Sequence, residues 1–206
     1  MIYIYFALFL GIVPAGLLLF RRKFRSAAAP LIWLIAIGTL YEIFMTLMLH
    51  FETALWFSTY DVLWLLLVIN FFYRILHVRH MMYPVAVILL FAGMQLLYFS
   101  HQLPDALSFD TVTLIFTTGT VVVCSVIWFI RNALLPEPVP YLQLPEFYYI
   151  SGMLLYHSAT FLLFLMESIF PGNFNEIHRN FGVINVGASI IFRILFIIGV
   201  WKISKK

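Results

Sequence analysis

The sequence predicts an all-α, polytopic integral membrane protein with seven transmembrane helices. Three observations support this fold class. Of the 206 residues, 64% are hydrophobic and 10% are charged, and a single water-soluble core cannot bury so much apolar surface. The apolar residues form runs of about 17 to 25, the length that crosses a bilayer as a helix. Basic residues stand beside alternate runs, which is typical of a multi-pass chain.

Seven apolar runs divide the chain, which forms one predicted domain over residues 1–206. The predicted spans are 2–20, 30–50, 55–74, 82–99, 111–130, 148–170 and 181–201. Pro14 and Pro84 lie inside the first and fourth spans, where neighbouring helices tolerate the kinks they imply. The first span has no basic residues before it, so we predict a retained helix and not a signal peptide.

The charges beside the spans predict the orientation of the chain. The basic residues that follow the odd-numbered spans are Arg21, Arg22, Lys23, Arg25, Arg74, Arg79, Arg131, Lys202, Lys205 and Lys206. On the other side stands Arg179, accompanied by Glu52, Asp105, Asp110 and Glu176. Because basic flanks stay in the cytoplasm, we predict an external amino terminus and a cytoplasmic carboxyl terminus.

The longest internal connection, residues 131–148, contains four prolines: Pro136, Pro138, Pro140 and Pro145. This composition favours an extended, polyproline-like connector. Two interpretations stay open for it. It is either a stiff linker along the inner membrane surface or a docking segment for a cytoplasmic partner.

Ionisable side chains inside the spans indicate where a site would lie, because intramembrane charges are costly and usually face the bundle interior. On a rise of about 1.5 Å per residue, Glu42 and Asp61 share a layer in the outer half, although Asp61 also fits the outer interface. His157 and Arg193 lie near the midplane. The predicted polar layer consists of Glu42, Asp61, Gln95, Thr117, Tyr156, His157, Asn185 and Arg193, with Thr118 and Thr120 as further members. It is either an internal pair that holds helices together or a ligand or ion site.

His157 is predicted to be a neutral, hydrogen-bonded packing residue and not a metal ligand. Gly152 and Ala159 in the same span are small enough to permit close helix approach. His77 and His80 lie three residues apart but lack a third ligand in register, so we predict no metal site and no cofactor. The single Cys124 excludes a disulfide framework.

The chain carries no motif that indicates enzymatic activity. HExxH, the serine elbow and the glycine-rich phosphate loop are all absent from the sequence, so we predict a protein that is not an enzyme. The basic residues stand beside apolar spans, where they report orientation. Nucleic-acid binding is therefore not predicted.

Two segments, "STYDVLWLLLVINFFYRIL" and "LPEFYYISGMLLYHSATFLLFL", resemble small seven-span membrane regions of Bacteroidetes bacteria. Those regions occur alone or in front of histidine-kinase modules. The matching positions are Pro145, Phe147, Gly152, Tyr156 and Ser158, whereas Ala159 stands where the pattern has glycine. Since the chain ends at "WKISKK" without a kinase, the resemblance implies a stand-alone input module. It also implies a multi-pass protein of a bacterial inner membrane.

Together these patterns favour a receptor-like or signal-input membrane subunit. Its buried polar layer would sense a ligand or a membrane state, and its cytoplasmic loops would signal to a separately encoded cytoplasmic or membrane partner. The alternative is a small transporter or ion-conducting effector that uses the same layer as its pathway. The lipid bilayer is a partner in either case, and homo-oligomerisation stays open.

Overall fold

The protein is described by a computed structural model that covers residues 2–21, 27–48, 54–76, 109–135, 140–169 and 174–203. Within these ranges every regular element is helical, which confirms the all-α prediction for the described part. The helices are Ile2–Arg21 (α1), Ala29–Met48 (α2), Ala54–Leu76 (α3), Phe109–Ala133 (α4), Pro145–Ile169 (α5) and Phe174–Ile203 (α6), with a 3-10 turn at Tyr141–Gln143.

These helices coincide with the first three and last three predicted spans, and the predicted fourth span, 82–99, lies outside the described residues. α5 begins at Pro145, earlier than predicted, because proline suits the first helical position, where its missing N–H needs no partner. α6 begins at Phe174, seven residues earlier than predicted. Its first two turns are polar, so hydropathy alone did not mark them, but helical backbone hydrogen bonds form regardless of side-chain polarity.

The proline-rich connection is not extended throughout. Tyr141–Gln143 form a 3-10 turn, and two backbone hydrogen bonds of 2.8 and 3.0 Å close it. The ring of Tyr141 packs against Trp128 of α4 and Phe147 of α5, with centroid distances of 6.3 and 6.1 Å. These aromatic contacts hold the turn against both helices. Since Tyr141–Gln143 are helical, the prediction of an extended connector is wrong at these residues.

One helical segment is, by length and composition, apolar enough to cross a membrane. Among the described residues this is Val183–Ile203 of α6, whose 21 residues have a mean hydropathy of 2.3. Shorter apolar helical stretches are Phe9–Phe20, Ala29–Tyr41, Leu63–Leu76 and Thr117–Ala133.

The six described helices form a ring. Each packs against the next in chain order, and α6 returns to pack against α1. The most extensive contact joins α5 and α6. The interior of this ring therefore receives side chains from helices that lie far apart in the sequence.

α3 and α4 run in the same direction. Arg131, in the last turn of α4, donates a hydrogen bond to the carbonyl of Leu76, the last residue of α3. Nearer the middle of each helix, Trp64 of α3 and Thr118 of α4 both contact His157 of α5. Because the two pairs of contacts come in the same order along both helices, α3 and α4 are parallel.

The same end of the bundle holds the start of α5 and the end of α6. Phe147 of α5 packs against Phe129 near the end of α4, at a centroid distance of 6.1 Å. Gly199 of α6 lies against the ring of Tyr149, one turn into α5. We call this the basic end, and its described cations are Arg74, Arg131 and Lys202.

Four buried aromatic rings fill the interior towards the basic end. Centroid distances are 6.3 Å between Phe71 and Tyr149, 5.0 Å between Tyr149 and Phe196, and 4.5 Å between Phe196 and Phe192. We call these four residues the aromatic floor. Each such ring pair contributes about 0.5–1.5 kcal/mol beyond the apolar area that it buries. The floor therefore ties α3, α5 and α6 together.

Glycines allow α5 and α6 to pack closely. A Cβ placed on Gly152 would lie 3.3 Å from the Cβ of Leu195, so the close approach predicted at this residue is confirmed. A Cβ placed on Gly199 would lie 2.5 Å from Cε1 of Tyr149, closer than any normal van der Waals contact. The tyrosine ring thus occupies the space that a side chain at position 199 would need.

We predict that Gly199→Ala lowers the free energy of unfolding by about 1–3 kcal/mol, because the added methyl overpacks against Tyr149. Gly187→Ala is the matched control on the same helix, since no described atom lies within 4 Å of its added Cβ. Alanine favours a helix interior over glycine, so the control should be neutral or stabilising. Thermal unfolding in one detergent compares the two variants, and equal midpoints would contradict the contact.

Candidate functional site

A cavity of about 140 Å³ lies among α2, α3, α4, α5 and α6. Its apolar lining comes from Ile35, Trp64 and Phe192. Its polar lining comes from Thr39, Tyr60, Thr117, Tyr156, His157, Ser189 and Arg193. On α3, Phe71 of the aromatic floor lies seven residues nearer the basic end than the lining residue Trp64, and on α5 Tyr149 lies seven residues nearer than Tyr156. Seven residues span about 10 Å along a helix. The cavity therefore sits on the far side of the aromatic floor from the basic end.

His157 joins three helices through its two ring nitrogens. Trp64 Nε1 donates to His157 Nε2 over 3.3 Å, and Thr118 Oγ1 lies 3.4 Å from His157 Nδ1. The Trp64 and His157 rings are stacked, with centroids 6.2 Å apart. The imidazole is only 2% exposed. α5 is thereby fastened to both α3 and α4.

The partners of His157 identify its tautomer. An indole N–H can only donate, so Nε2 must accept through its lone pair. In the neutral ring the proton then sits on Nδ1, which donates to the hydroxyl of Thr118. A doubly protonated ring would have no acceptor for Trp64. In this arrangement His157 is neutral and offers no free lone pair to a metal ion.

Arg193 and several hydroxyls supply the polar part of the cavity. Arg193 lies four residues after Ser189, so both occupy one face of α6. Thr39 of α2 is 2% exposed, and its hydroxyl oxygen has no hydrogen-bond partner among the described residues. A buried polar group without a partner costs about 1–3 kcal/mol. This oxygen is also the Thr39 atom nearest to Gly11, so the hydroxyl packs against α1.

The structure brings together half of the predicted polar layer. The members that line the cavity are Thr117, Tyr156, His157 and Arg193. Asn185 lies two turns from Arg193 on α6 and is not among the lining residues, and its buried Oδ1 has no partner within the described part of the chain. Glu42 and Asp61 lie on α2 and α3, but their side chains are outside the description, as is all of Gln95.

Helical register nevertheless places Glu42 and Asp61 near the cavity. Glu42 comes three residues after Thr39, and Asp61 comes three residues before Trp64, so each shares a helix face with a lining residue. The five residues between α2 and α3 reach at most about 20 Å, less than the roughly 30 Å length of α2. α2 thus ends where α3 begins. Glu42 lies one turn farther from the basic end than Thr39, whereas Asp61 stands between the lining residues Tyr60 and Trp64 along α3.

Sequence reasoning missed three lining residues that helical spacing indicates. Thr39 precedes Glu42 by three residues, and Ser189 precedes Arg193 by four. Trp64 follows Asp61 by three. Each predicted charged residue has a lining neighbour one turn away, so the residues within one helical turn of each charge include all three.

No family model, curated protein or solved structure matches this chain. Among the described residues, no group of three or more His, Cys, Asp or Glu side chains is placed to hold a metal ion. What the geometry defines is a helical bundle with an internal cavity of mixed polarity. Its described lining contains a cation, several hydroxyls and aromatic rings.

We predict that His157→Leu lowers the free energy of unfolding by about 1–3 kcal/mol, because Trp64 and Thr118 lose their buried partner. The same substitution should cost less in a Trp64→Phe background, where one of the two orphaned groups is already gone. Unfolding of the four proteins of this double-mutant cycle in detergent measures the difference.

Leu155→Ala is the control for this cycle, because Leu155 is an exposed residue of the same helix. Its effect should add to that of Trp64→Phe. If His157→Leu and Trp64→Phe were also additive, the hydrogen bond between these two residues would contribute no stability.

Proposed function

We propose that the chain is a multi-pass membrane protein with seven transmembrane helices, an external amino terminus and a cytoplasmic carboxyl terminus. The polarity of the described helices supports this. Large apolar residues with 37–88% exposure include Phe9, Phe20, Ile37, Leu66, Val123, Phe161 and Ile191. Buried polar residues include Thr39, Thr117, Ser125, His157 and Thr160. An apolar exterior around a partly polar interior suits lipid, whereas water favours the opposite arrangement.

Two further observations support this membrane topology. In the apolar segment of α6, only 28% of the most apolar window is buried inside the bundle, unlike the core helix of a soluble protein. α3 and α4 are parallel, so the chain must return across the bundle between them. The apolar run 82–99 is the segment that the sequence offers for this return.

Within this membrane bundle we propose a receptor-like, signal-input role, in which the cavity senses a small molecule or a membrane state. The observation that carries the proposal is a continuous series of ring contacts from the cavity towards the basic end. Trp64 contacts Phe192 at 6.2 Å, and Phe192 leads through Phe196 and Tyr149 to Phe71. Because packed interiors shift between discrete arrangements, a change at Trp64 or Phe192 would repack this series. A separately encoded cytoplasmic or membrane partner would read the result at the basic end.

The aromatic floor favours sensing over conduction. Its four rings are at most 6% exposed. Phe192 lines the cavity, and the other three lie between the cavity and the basic end. A transporter or ion-conducting effector would have to open this floor in every cycle. Transport by the same polar residues is therefore the second candidate, and flux measurements distinguish it.

We predict that cysteines in the loops before the fourth, before the fifth and after the fifth span react from alternate sides of the membrane. In a Cys124→Ala background, a membrane-impermeant maleimide should label Asp105→Cys in intact cells. It should label His80→Cys and Leu134→Cys only after the cells are opened. Labelling of all three positions from one side would rule out the proposed topology.

We predict that a change in the cavity alters the packing of the basic end. Spin labels at Leu134→Cys and Trp201→Cys, with Cys124→Ala, report the distance between the ends of α4 and α6 in nanodiscs. Gly11→Ala should shift this distance by about 1–2 Å, because its added methyl would collide with Thr39.

Gly16→Ala is the matched control on the same helix, since no described atom lies within 4 Å of its added Cβ. It should leave the distance unchanged. Identical distance distributions for the two variants would show that the cavity and the basic end are not coupled.

In liposomes the sensing role predicts no solute or ion flux above that of protein-free vesicles. A flux that Glu42→Gln or Arg193→Leu abolishes would establish transport instead.

A further inference from the structure

We infer that the cavity binds a small carboxylate, which is held by Arg193 and packs its apolar part against Trp64 and Phe192. This inference rests on the proposed function, because it takes the cavity to be the sensing element. It adds the chemical class of the molecule that is sensed. Charge, hydrogen bonding and size each lead to this class.

The charge of the cavity favours an anion. Arg193 is the only permanently charged residue among the described lining residues, and none of these is acidic. Arg193 is part-buried, and a cation withdrawn from water inside a bundle is stabilised by a negative partner. His157 does not compete for an anion, because its hydrogen bond from Trp64 requires the neutral ring.

The hydrogen-bonding groups favour a carboxylate among anions. The planar guanidinium of Arg193 matches a carboxylate through two parallel N–H···O bonds. Ser189 adds a hydroxyl donor from α6. The Thr39 hydroxyl is not counted among these donors, because its oxygen packs against Gly11 of α1, which does not line the cavity.

The size and the apolar lining define the rest of the molecule. A volume of about 140 Å³ is similar to the roughly 150 Å³ of an engineered cavity that holds benzene, so it accommodates about six non-hydrogen atoms. Ile35, Trp64 and Phe192 offer apolar contact to a short hydrocarbon chain. A short-chain aliphatic carboxylate of the size of butyrate satisfies all of these features.

Two acidic positions of the chain, Glu42 and Asp61, bear on the test of this inference. Both acidic positions lie one helical turn from a lining residue. A carboxylate of the protein and a carboxylate ligand would exclude each other at the same guanidinium. The experiment therefore compares butyrate binding to the unmodified protein with binding to Glu42→Gln and Asp61→Asn.

The test measures binding of butyrate and of its neutral analogue butyramide to the full-length protein in nanodiscs, by calorimetric titration. Butyrate should bind about tenfold or more tightly than butyramide, as expected for charge-assisted hydrogen bonds. Arg193→Gln should weaken butyrate binding by a similar factor. Arg74→Gln should leave it unchanged, because Arg74 is exposed and outside the cavity.

The comparison of the two ligands uses the unmodified protein, so it does not depend on the folding of any variant. Equal affinity for butyrate and butyramide would overturn the inference. Binding that appears only in Glu42→Gln or Asp61→Asn would also overturn it, since Arg193 would then be paired within the chain.

A chain-length series from acetate to octanoate distinguishes a water-borne ligand from a membrane fatty acid. The cavity volume predicts that affinity falls beyond butyrate. An affinity that rises up to octanoate would contradict the size limit and indicate a fatty acid that enters from the bilayer.

The spin-label distances separate this inference from the sensing role. If butyrate does not bind but Gly11→Ala still shifts the basic end, the carboxylate assignment is wrong and the coupling remains. If Gly11→Ala has no effect, the sensing role itself fails.

Discussion

The hydrogen-bonded imidazole of His157 is the contact on which the interior of this bundle depends. It accepts from Trp64 on α3 and donates to Thr118 on α4, so one ring sets the separation of three helices. The position of Trp64 in turn places its edge against Phe192 of α6. A neutral group with both nitrogens satisfied lies in an apolar interior at little cost. A charged ring at the same place would lose the Trp64 contact.

Small residues determine how closely the helices around the cavity approach. A Cβ on Gly38 would lie 2.5 Å from the ring of Tyr60, so α2 packs against α3 where it has no side chain. Gly11 of α1 likewise has no side chain at the point where Thr39 packs against it. The lining residues Thr39 and Tyr60 therefore rest directly on neighbouring backbone. The dimensions of the cavity depend on backbone contacts, which respond little to side-chain rotation.

The cavity and the aromatic floor divide the interior into regions with different tasks. Arg193 and the hydroxyls are suited to binding, because their donors have to be satisfied inside a bundle with an apolar surface. The floor has no such requirement, and its packed rings are the route that we propose for the transmission of a displacement. This division is the basis of the sensing role that we propose.

The sequence by itself determined the helices and identified the charged positions, whereas the tertiary structure decided which of them meet. Apolar runs of bilayer length predicted the described helices closely, because hydropathy along the chain is a local property. His157 and Arg193 stood out because polar groups are rare in such runs. Their convergence with Trp64 depends on helix rotation and on the ring order. The Trp64–His157 contact joins residues 93 positions apart.

The dependence on packing between distant segments also explains why some lining residues were not predicted from the sequence. Thr39 and Ser189 are ordinary residues until the packing of α2 and α6 turns them towards a common space, and Asn185, equally polar, is left out of the cavity on the same helix as Arg193. The turn at Tyr141 forms because its ring meets Trp128 across the connection. Local composition sets which segments are helical, but only packing between distant segments selects the faces that enclose a site.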